Sequence, residues 1–174
     1  HGIYATGSSY TIINNIIRDN TAYGLQVAGY PYNSSSMAGP EYAGASGWTI
    51  NNNTFANQKL RSGITIWQQD ATNDLVQNNI FYNNSLNTSE PNGIQFSNSG
   101  SGHTLRNNIY FSAQGRPRIT AGSTSLYTET GDITADPRFV NTSALDFHLQ
   151  AGSPGIDAGY AASAPDREAH HCRR

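Results

Sequence analysis

Apolar and polar residues alternate in short segments along this chain, and the segments recur in a constant order. One kind contains paired asparagines, in TIINNIIRDN from Thr11, TINNNTFANQ from Thr49, LVQNNIFYNN from Leu75 and TLRNNIYFSA from Thr104. An apolar residue stands three positions before the second asparagine of each pair, and another stands two positions after it. This alternation predicts short half-buried strands, and no segment shows the 3.6-residue period of a helix.

A glycine marks a second kind of strand, which reads HGIYA, GLQVA, GITIW and GIQFS. The second asparagines of the pairs are separated by 38, 26 and 29 residues, while the order of the two markers never changes. Repeats of this length with variable loops predict a solenoid of stacked strands. We expect about five to six coils over residues 1–160 and a polar tail over residues 161–174.

The asparagine pairs have a local explanation in such a stack. Each coil must turn sharply between two strands, and asparagine adopts left-handed backbone geometry more readily than most residues. Asparagine side chains stacked from coil to coil can also hydrogen-bond to one another. We therefore favour a ladder of turn residues over the alternative that these asparagines bind a ligand or a metal.

Composition narrows the function classes. Only 13% of residues are charged, the formal net charge is −2, and no basic run stands in the repeats, which argues against a nucleic-acid partner. No apolar run approaches the roughly 20 residues of a membrane-spanning helix. Cys172 is the single cysteine, so there is no disulfide framework.

The repeats and the segment ITADPRFVNTSALDFHLQAGSPGIDAG, residues 133–159, resemble right-handed parallel β-helix proteins of the pectate-lyase-like superfamily. The resemblance implies a single-stranded right-handed parallel β-helix and an extracellular, carbohydrate-active protein of bacterial type. Asp136-Pro137, Ser153-Pro154 and Asp157 are interpreted as turn and capping residues of the closing segment. Because the chain begins within a coil, we also expect missing N-terminal coils or a missing cap, and self-association through an open first coil.

In the lyases and hydrolases that the chain resembles, saccharides bind an exterior groove along one stacked sheet. The glycine-marked strands are the natural candidate here, and their alternation directs Ile64 and Ile66 inward but Thr65 and Trp67 outward. A long insertion at residues 28–47 follows the second of these strands. The candidate substrate-binding residues are Gln26, Tyr30, Tyr32, Tyr42, Trp67, Gln95, Arg116 and Arg118.

Charged residues flank the GITIW strand and suggest a chemistry. The resemblance implies β-elimination on a uronate, in which a Lys or Arg removes the proton next to the carboxylate while Ca²⁺ or further cations neutralise it. Lys59 and Arg61 are the candidate catalytic residues. Oxygen ligands for Ca²⁺ would come from Asp70, Asp74 and Glu41. The alternative is a β-helix module, or a fragment of a larger polysaccharide-active protein, that binds without catalysis.

Overall fold

The computed structural model describes residues 1–29 and 44–161, and in this part of the chain the strands stack into three parallel sheets. With strands numbered in chain order, sheet A contains β1 (Ile3–Ala5), β4 (Leu25–Ala28), β7 (Ile64–Trp67), β10 (Ile94–Ser97) and β13 (Ile119–Thr120). Sheet B contains β2 (Thr11–Ile13), β5 (Thr49–Asn51), β8 (Leu75–Gln77), β11 (His103–Arg106) and β14 (Tyr127–Thr130). Sheet C contains β3 (Ile16–Arg18), β6 (Thr54–Ala56), β9 (Ile80–Tyr82), β12 (Ile109–Phe111) and β15 (Ile133–Thr134).

Each coil consists of one strand from sheet A, one from sheet B and one from sheet C. Every strand pairs in parallel with its counterpart in the neighbouring coil, as the pairing of β4 with β7 and of β7 with β10 shows. The predicted parallel β-helix is therefore confirmed, with five coils in the described residues. The polar tail lies outside the described residues from position 162 onwards.

The interior consists of columns of like residues. One runs through Leu25, Ile64 and Ile94 in sheet A, a second through Ile50, Val76 and Leu105 in sheet B, and a third through Phe55, Phe81 and Tyr110 in sheet C. All nine side chains are at most 1% exposed. The inward positions predicted for the GITIW strand are confirmed by the burial of Ile64 and Ile66.

The glycine marker is explained by the aromatic column. The rings of Phe55 and Phe81 stack at 5.3 Å, and those of Phe81 and Tyr110 at 5.0 Å. A Cβ on Gly63 would lie 2.6 Å from the Phe81 ring, and one on Gly93 would lie 2.3 Å from the Tyr110 ring. Any side chain there would overlap the rings, so a larger residue requires a ring or the backbone to shift.

The two asparagines of each pair have separate tasks. The first has a positive φ in every pair, at 59° for Asn14, 56° for Asn52, 55° for Asn78 and 52° for Asn107. The second forms the ladder: Asn53 donates its backbone N–H and its side-chain amide to Asn79 Oδ1 at 2.9 and 3.1 Å. Asn79 donates in the same way to Asn108 Oδ1. Both parts of the turn-ladder prediction are confirmed.

A second polar ladder, not predicted from the sequence, lies where sheet C ends and the turn towards sheet A begins. The Asn20 N–H donates to Gln58 Oε1 at 3.0 Å, and the Gln58 N–H donates to Asn84 Oδ1 at 3.2 Å. The Asn84 N–H then donates to Asn92 Oδ1 at 2.8 Å. Because Gln58, Asn84 and Asn92 are at most 1% exposed, these bonds satisfy groups that water does not reach.

The fifth coil ends the apolar interior. Arg118 stands in the glycine column and Glu129 stands in the Leu105 column, and the two form an ion pair. The Arg118 guanidinium lies 5.5 Å from the centre of the Tyr110 ring. Charged residues thus take the places of glycine and leucine at the last layer, where the interior meets solvent.

The closing segment folds back over the exterior of sheet C. Its hairpin pairs β16 (Phe139–Asn141) with β17 (Asp146–Leu149) in an antiparallel manner, and Phe139 packs against Tyr82 at 5.1 Å between ring centres. Further along, the Tyr160 N–H donates to Asn78 Oδ1 at 2.7 Å, and the Arg106 guanidinium lies 3.7 Å from the Tyr160 ring centre. The segment therefore attaches to coils three and four.

Turns within the closing segment involve the residues proposed for capping. Asp136 Oδ1 accepts a hydrogen bond from the Arg138 N–H at 2.8 Å, and Ser153 Oγ donates to the Pro137 carbonyl at 2.6 Å. Asp157 has a φ of 56°, in the left-handed region. These contacts are structural.

The strands of the first coil are edge strands in all three sheets. Tyr10, Ile13 and Ile16 next to this edge are 41–56% exposed. Unpaired edges can recruit another strand, and self-association through this coil stays a prediction.

We expect Gly63→Ala to destabilise the protein by about 1–3 kcal/mol, because its Cβ overlaps the Phe81 ring in a packed interior. Gly122→Ala is the matched control: nothing lies within 4 Å of its Cβ, so its free energy of unfolding should change by less than about 0.5 kcal/mol. Urea unfolding measures the free energy of unfolding of both variants. Equal stability of the two variants would contradict the role assigned to the glycine column.

Asp132 ends the asparagine ladder and provides a second test. Its Oδ1 accepts from the Asn108 N–H at 2.8 Å, and its Oδ2 accepts from the Tyr110 hydroxyl at 3.1 Å. Burial raises the pKa of Asp132 to about 6, against the opposing effect of these hydrogen bonds. A carboxyl whose pKa is higher in the folded state favours folding when protonated, and this contribution is lost as the pH rises through about 6.

Asp132→Asn should therefore stabilise the protein by about 1–2 kcal/mol above pH 7, a value discounted for partial solvent exposure, and by close to nothing near pH 4. Denaturant unfolding at several pH values measures the difference. Asp136→Asn is the control, since it removes the same charge from an exposed turn. An increase in the free energy of unfolding of Asp132→Asn that does not depend on pH would contradict this explanation.

Candidate functional site

The exterior of sheet A carries a continuous row of polar side chains. The outward positions of four neighbouring strands are in register and hold Tyr4, Gln26, Thr65 and Gln95. The next outward positions hold Ala28, Trp67 and Ser97. Gln26, Thr65 and Ala28 are buried, whereas Gln95 and Trp67 are half-buried. The sequence-predicted Gln26, Gln95 and Trp67 therefore lie on one face.

Tyr23 extends over this face although the sequence analysis did not select it. The residue precedes β4, yet its hydroxyl donates to Gln95 Oε1 on β10 at 2.5 Å. Because neighbouring strands are about 4.8 Å apart, the side chain crosses the exterior of β7, and the Thr65 hydroxyl neighbours its phenol. The His1 ring stacks on the Tyr23 ring with 5.6 Å between centres.

Tyr23 is a neutral group in this setting. Burial raises the pKa of its phenol above the ordinary value, and the Glu90 carboxylate raises it further. Arg61 opposes both effects, with its guanidinium 5.7 Å from the centre of the Tyr23 ring. Tyr23 can therefore donate a hydrogen bond at neutral pH but is a poor base.

Arg61 and Glu90 form an ion pair beside Tyr23. The Arg61 side chain is 48% exposed, whereas the Glu90 side chain is 17% exposed. Hydrogen bonding to Glu90 raises the pKa of Arg61 further, so Arg61 is a cation and not a base. The structure thus places Arg61 where it could position a ligand carboxylate or hydroxyl.

Most of the described cations gather in the turns that lead from sheet C to sheet A, here called the C–A corner (residues 19–24, 57–63, 83–93 and 112–118). Seven Lys or Arg residues lie in the described ranges, and four of them are in this corner: Lys59, Arg61, Arg116 and Arg118. Arg18, which pairs with Asp19, stands at its border. The acidic residues of the corner are Asp19 and Glu90.

The cations of the C–A corner differ in whether they form ion pairs. Lys59 is exposed, and neither Lys59 nor Arg116 forms an ion pair with any described residue. The Arg116 Nε donates to Gln114 Oε1 at 3.2 Å. Arg118 is instead engaged by Glu129 at the end of the interior. Lys59 and Arg116 are therefore the cations available to an anionic ligand.

Of the candidate calcium ligands, Asp74 is shielded from solvent. Asp74 is 1% exposed and faces the interior, where Oδ1 accepts from the Trp48 N–H at 2.9 Å and Oδ2 lies 3.2 Å from His103 Nδ1. Burial raises the pKa of Asp74, although its bonds to His103 and Trp48 oppose this. Such an arrangement suits a structural bridge between coils.

Asp70 lies in the turn after β7, and Lys59 lies in the turn before it. The length of β7, about 13 Å, separates the two turns. Among the residues that the structure describes, no three His, Cys, Asp or Glu side chains form a group that could hold a metal ion. Ca²⁺ binding stays a prediction, and Glu41, Tyr30, Tyr32 and Tyr42 lie outside the described residues.

Sequence reasoning missed Tyr23 and Glu90, although a signal was present. Both stand within three residues before a glycine marker, in the same turn of successive coils as Arg61. Aligning the sequences of these turns on their glycine markers brings the three residues into neighbouring columns. Their contacts, however, depend on side-chain reach across two strands, which the repeat does not specify.

Comparison with known proteins identifies the fold. A family model described as a right-handed beta helix region matches residues 1–134, consistent with the handedness expected above. No curated protein and no solved structure matches the chain. No helix in the described ranges is long and apolar enough to cross a membrane.

Proposed function

Because the chain belongs to the right-handed β-helix family, we propose that it is an extracellular carbohydrate-active protein that binds a uronate-containing polysaccharide. The ligand lies along the C–A corner and the exterior of sheet A. The family membership supplies the scaffold, while the function rests on the side chains of these two surfaces, because one fold hosts many activities.

The observation that supports an acidic ligand is the gathering of cations in the C–A corner. The chain as a whole has a formal charge of −2, yet this corner contains four of the seven described Lys and Arg residues. Lys59 and Arg116 are without a described acidic partner. Attraction between such exposed cations and a polyanion is strongest at low ionic strength, since salt screens it over about 10 Å at 0.1 M.

The exterior of sheet A supplies the remaining contacts of a sugar site. Tyr4 presents an exposed aromatic ring, whose face suits the apolar C–H face of a sugar ring. Gln95 and the Tyr23 hydroxyl present hydrogen-bonding groups between the coils. Trp67, half-buried at the far end of β7, extends the same face.

The catalytic form of this proposal is β-elimination. The reaction needs a base that removes the proton next to the uronate carboxylate, and a cation that neutralises this carboxylate. Lys59 is the candidate base, and Ca²⁺ or a further cation such as Arg116 would neutralise the carboxylate, because Arg61 in the same turn is already paired with Glu90. The competing function is a binding module without catalysis, which is favoured by the engagement of Arg61 with Glu90 and by the neutral state of Tyr23.

Binding is tested by titrating the protein with polygalacturonate, alginate and neutral dextran in a calorimeter. We expect the acidic polymers alone to bind, and more weakly at high salt. Lys59→Gln and Arg116→Gln should each weaken binding by about three- to tenfold, the equivalent of roughly 1 kcal/mol. Arg138→Gln removes the same charge from the closing segment and should leave binding unchanged. Equal effects of all three substitutions would refute binding at the C–A corner.

Catalysis is tested by following the absorbance of unsaturated products on the same polymers, with and without Ca²⁺. A lyase should give a rising signal that Lys59→Ala abolishes even at polymer concentrations that saturate the weakened binding of this variant. Binding without any absorbance change for wild type would support the non-catalytic module. Activity that survives in Lys59→Ala would show that another residue is the base.

A further inference from the structure

Tyr23, Arg61, Thr65, Glu90 and Gln95 form a compact group, here called the Tyr23 subsite, on the border between the C–A corner and sheet A. They come from turns or strands of successive coils and meet through the Tyr23–Gln95 hydrogen bond and the Arg61–Glu90 ion pair. The His1 ring stacks on one side of Tyr23 at an angle of 8°. The group is therefore a built feature of the folded chain.

Two polar atoms of the subsite have no well-formed hydrogen bond to any residue that the structure describes. Glu90 Oε2 and Thr65 Oγ1 are both buried, and Thr65 Oγ1 neighbours the Tyr23 phenol without a well-formed bond to it. Buried polar atoms almost always have partners, so unpartnered ones call for an explanation. A carboxylate oxygen can only accept, and a hydroxyl can accept or donate. Ligand hydroxyl groups are partners that suit both atoms.

The subsite differs from its neighbours in charge. The positive charge of Arg61 is balanced by Glu90, and Tyr23 is neutral, so a ligand carboxylate would meet the Glu90 carboxylate as a like charge. Lys59, two residues from Arg61, and Arg116 have no described acidic partner. One surface thus combines a group of zero net charge, which can bind hydroxyls, with two cations that have no described acidic partner.

We propose that the Tyr23 subsite binds the hydroxyl groups of an uncharged sugar while Lys59 and Arg116 bind a neighbouring uronate, so that the ligand is an acidic heteropolysaccharide. This inference rests on the proposed polysaccharide binding and specifies its ligand class. The Gln95 side-chain amide supplies N–H donors and the Tyr23 phenol oxygen supplies an acceptor, since the Tyr23 proton is donated to Gln95 Oε1. Glu90 accepts from a sugar hydroxyl. Glu90 also disfavours a second uronate in the adjacent position.

The test compares binding of the full chain to polymers of defined pattern. Hyaluronan and rhamnogalacturonan alternate a uronate with an uncharged sugar, polygalacturonate is a uronate homopolymer, and dextran is neutral. We expect wild type to bind at least one alternating polymer more tightly than polygalacturonate, and dextran least. Tyr23→Phe should weaken alternating-polymer binding by about three- to tenfold, as loss of one hydrogen bond predicts, and weaken polygalacturonate binding by a smaller factor.

Glu90→Gln gives a sharper readout because it keeps the side-chain shape but removes the charge. Arg61 is then unbalanced, so polygalacturonate binding should strengthen by about three- to tenfold while alternating-polymer binding weakens. Circular dichroism and unfolding curves establish that each variant is folded. In Glu90→Gln, the preference for alternating polymers over polygalacturonate should then reverse or disappear.

Tighter wild-type binding of polygalacturonate than of both alternating polymers would overturn this inference and leave the proposed function intact. An unchanged preference in both Glu90→Gln and Tyr23→Phe would overturn it in the same way. Failure of every acidic polymer to bind would overturn the proposed function, and with it the heteropolysaccharide.

Discussion

The structure depends on the buried asparagine ladder between sheets B and C. Each coil must turn there within two residues, and the turn leaves backbone N–H groups that water cannot reach. Asn79 and Asn108 satisfy these groups, because each accepts two hydrogen bonds at its Oδ1 from the asparagine of the preceding coil. The ladder therefore holds the coils in a single register, because a shift of one coil by one residue would break its asparagine hydrogen bonds to the neighbouring coils.

Several other features follow from that register. It places Phe55, Phe81 and Tyr110 above one another, and their rings then require glycine at the start of the facing strands. It also fixes where the ladder must end. Asp132 accepts from the last asparagine and needs no partner beyond it, while Arg118 and Glu129 close the interior with charge. The closing segment then covers the apolar exterior of sheet C at coils three and four.

The proposed site lies beside turns whose length varies from coil to coil. The ladder specifies the side of the solenoid between sheets B and C, whereas the turns of the C–A corner differ in length and residue type from coil to coil. Tyr23, Arg61 and Glu90 occupy related places in three of these turns. Their side chains meet over β7 because the coils rise by only about 4.8 Å. A solenoid can thus assemble one binding surface from residues that lie far apart in sequence.

The fold could be predicted in detail from the pattern of residues along the chain. Period-2 alternation, the glycine markers and the asparagine pairs predicted the strands, the inward columns and the turn ladder, because each of these depends on local geometry repeated in every coil. The same reasoning selected Lys59, Arg61, Gln95 and Trp67 near the surface that now carries the proposed site. It could not separate Lys59 from Asp74, since both are charged residues beside the same strand.

Which charged groups face solvent and which are engaged became clear only from the stacked coils. Asp74 points inward to Trp48 and His103, and Arg118 is bound by Glu129, although nothing in the local sequence distinguishes them from exposed residues. Tyr23 reaches Gln95 from 72 positions away. Such contacts depend on the lengths of variable turns and on side-chain reach between coils. A repeating pattern determines the position of the backbone, but pairing between non-repeating side chains is decided only when the coils are stacked.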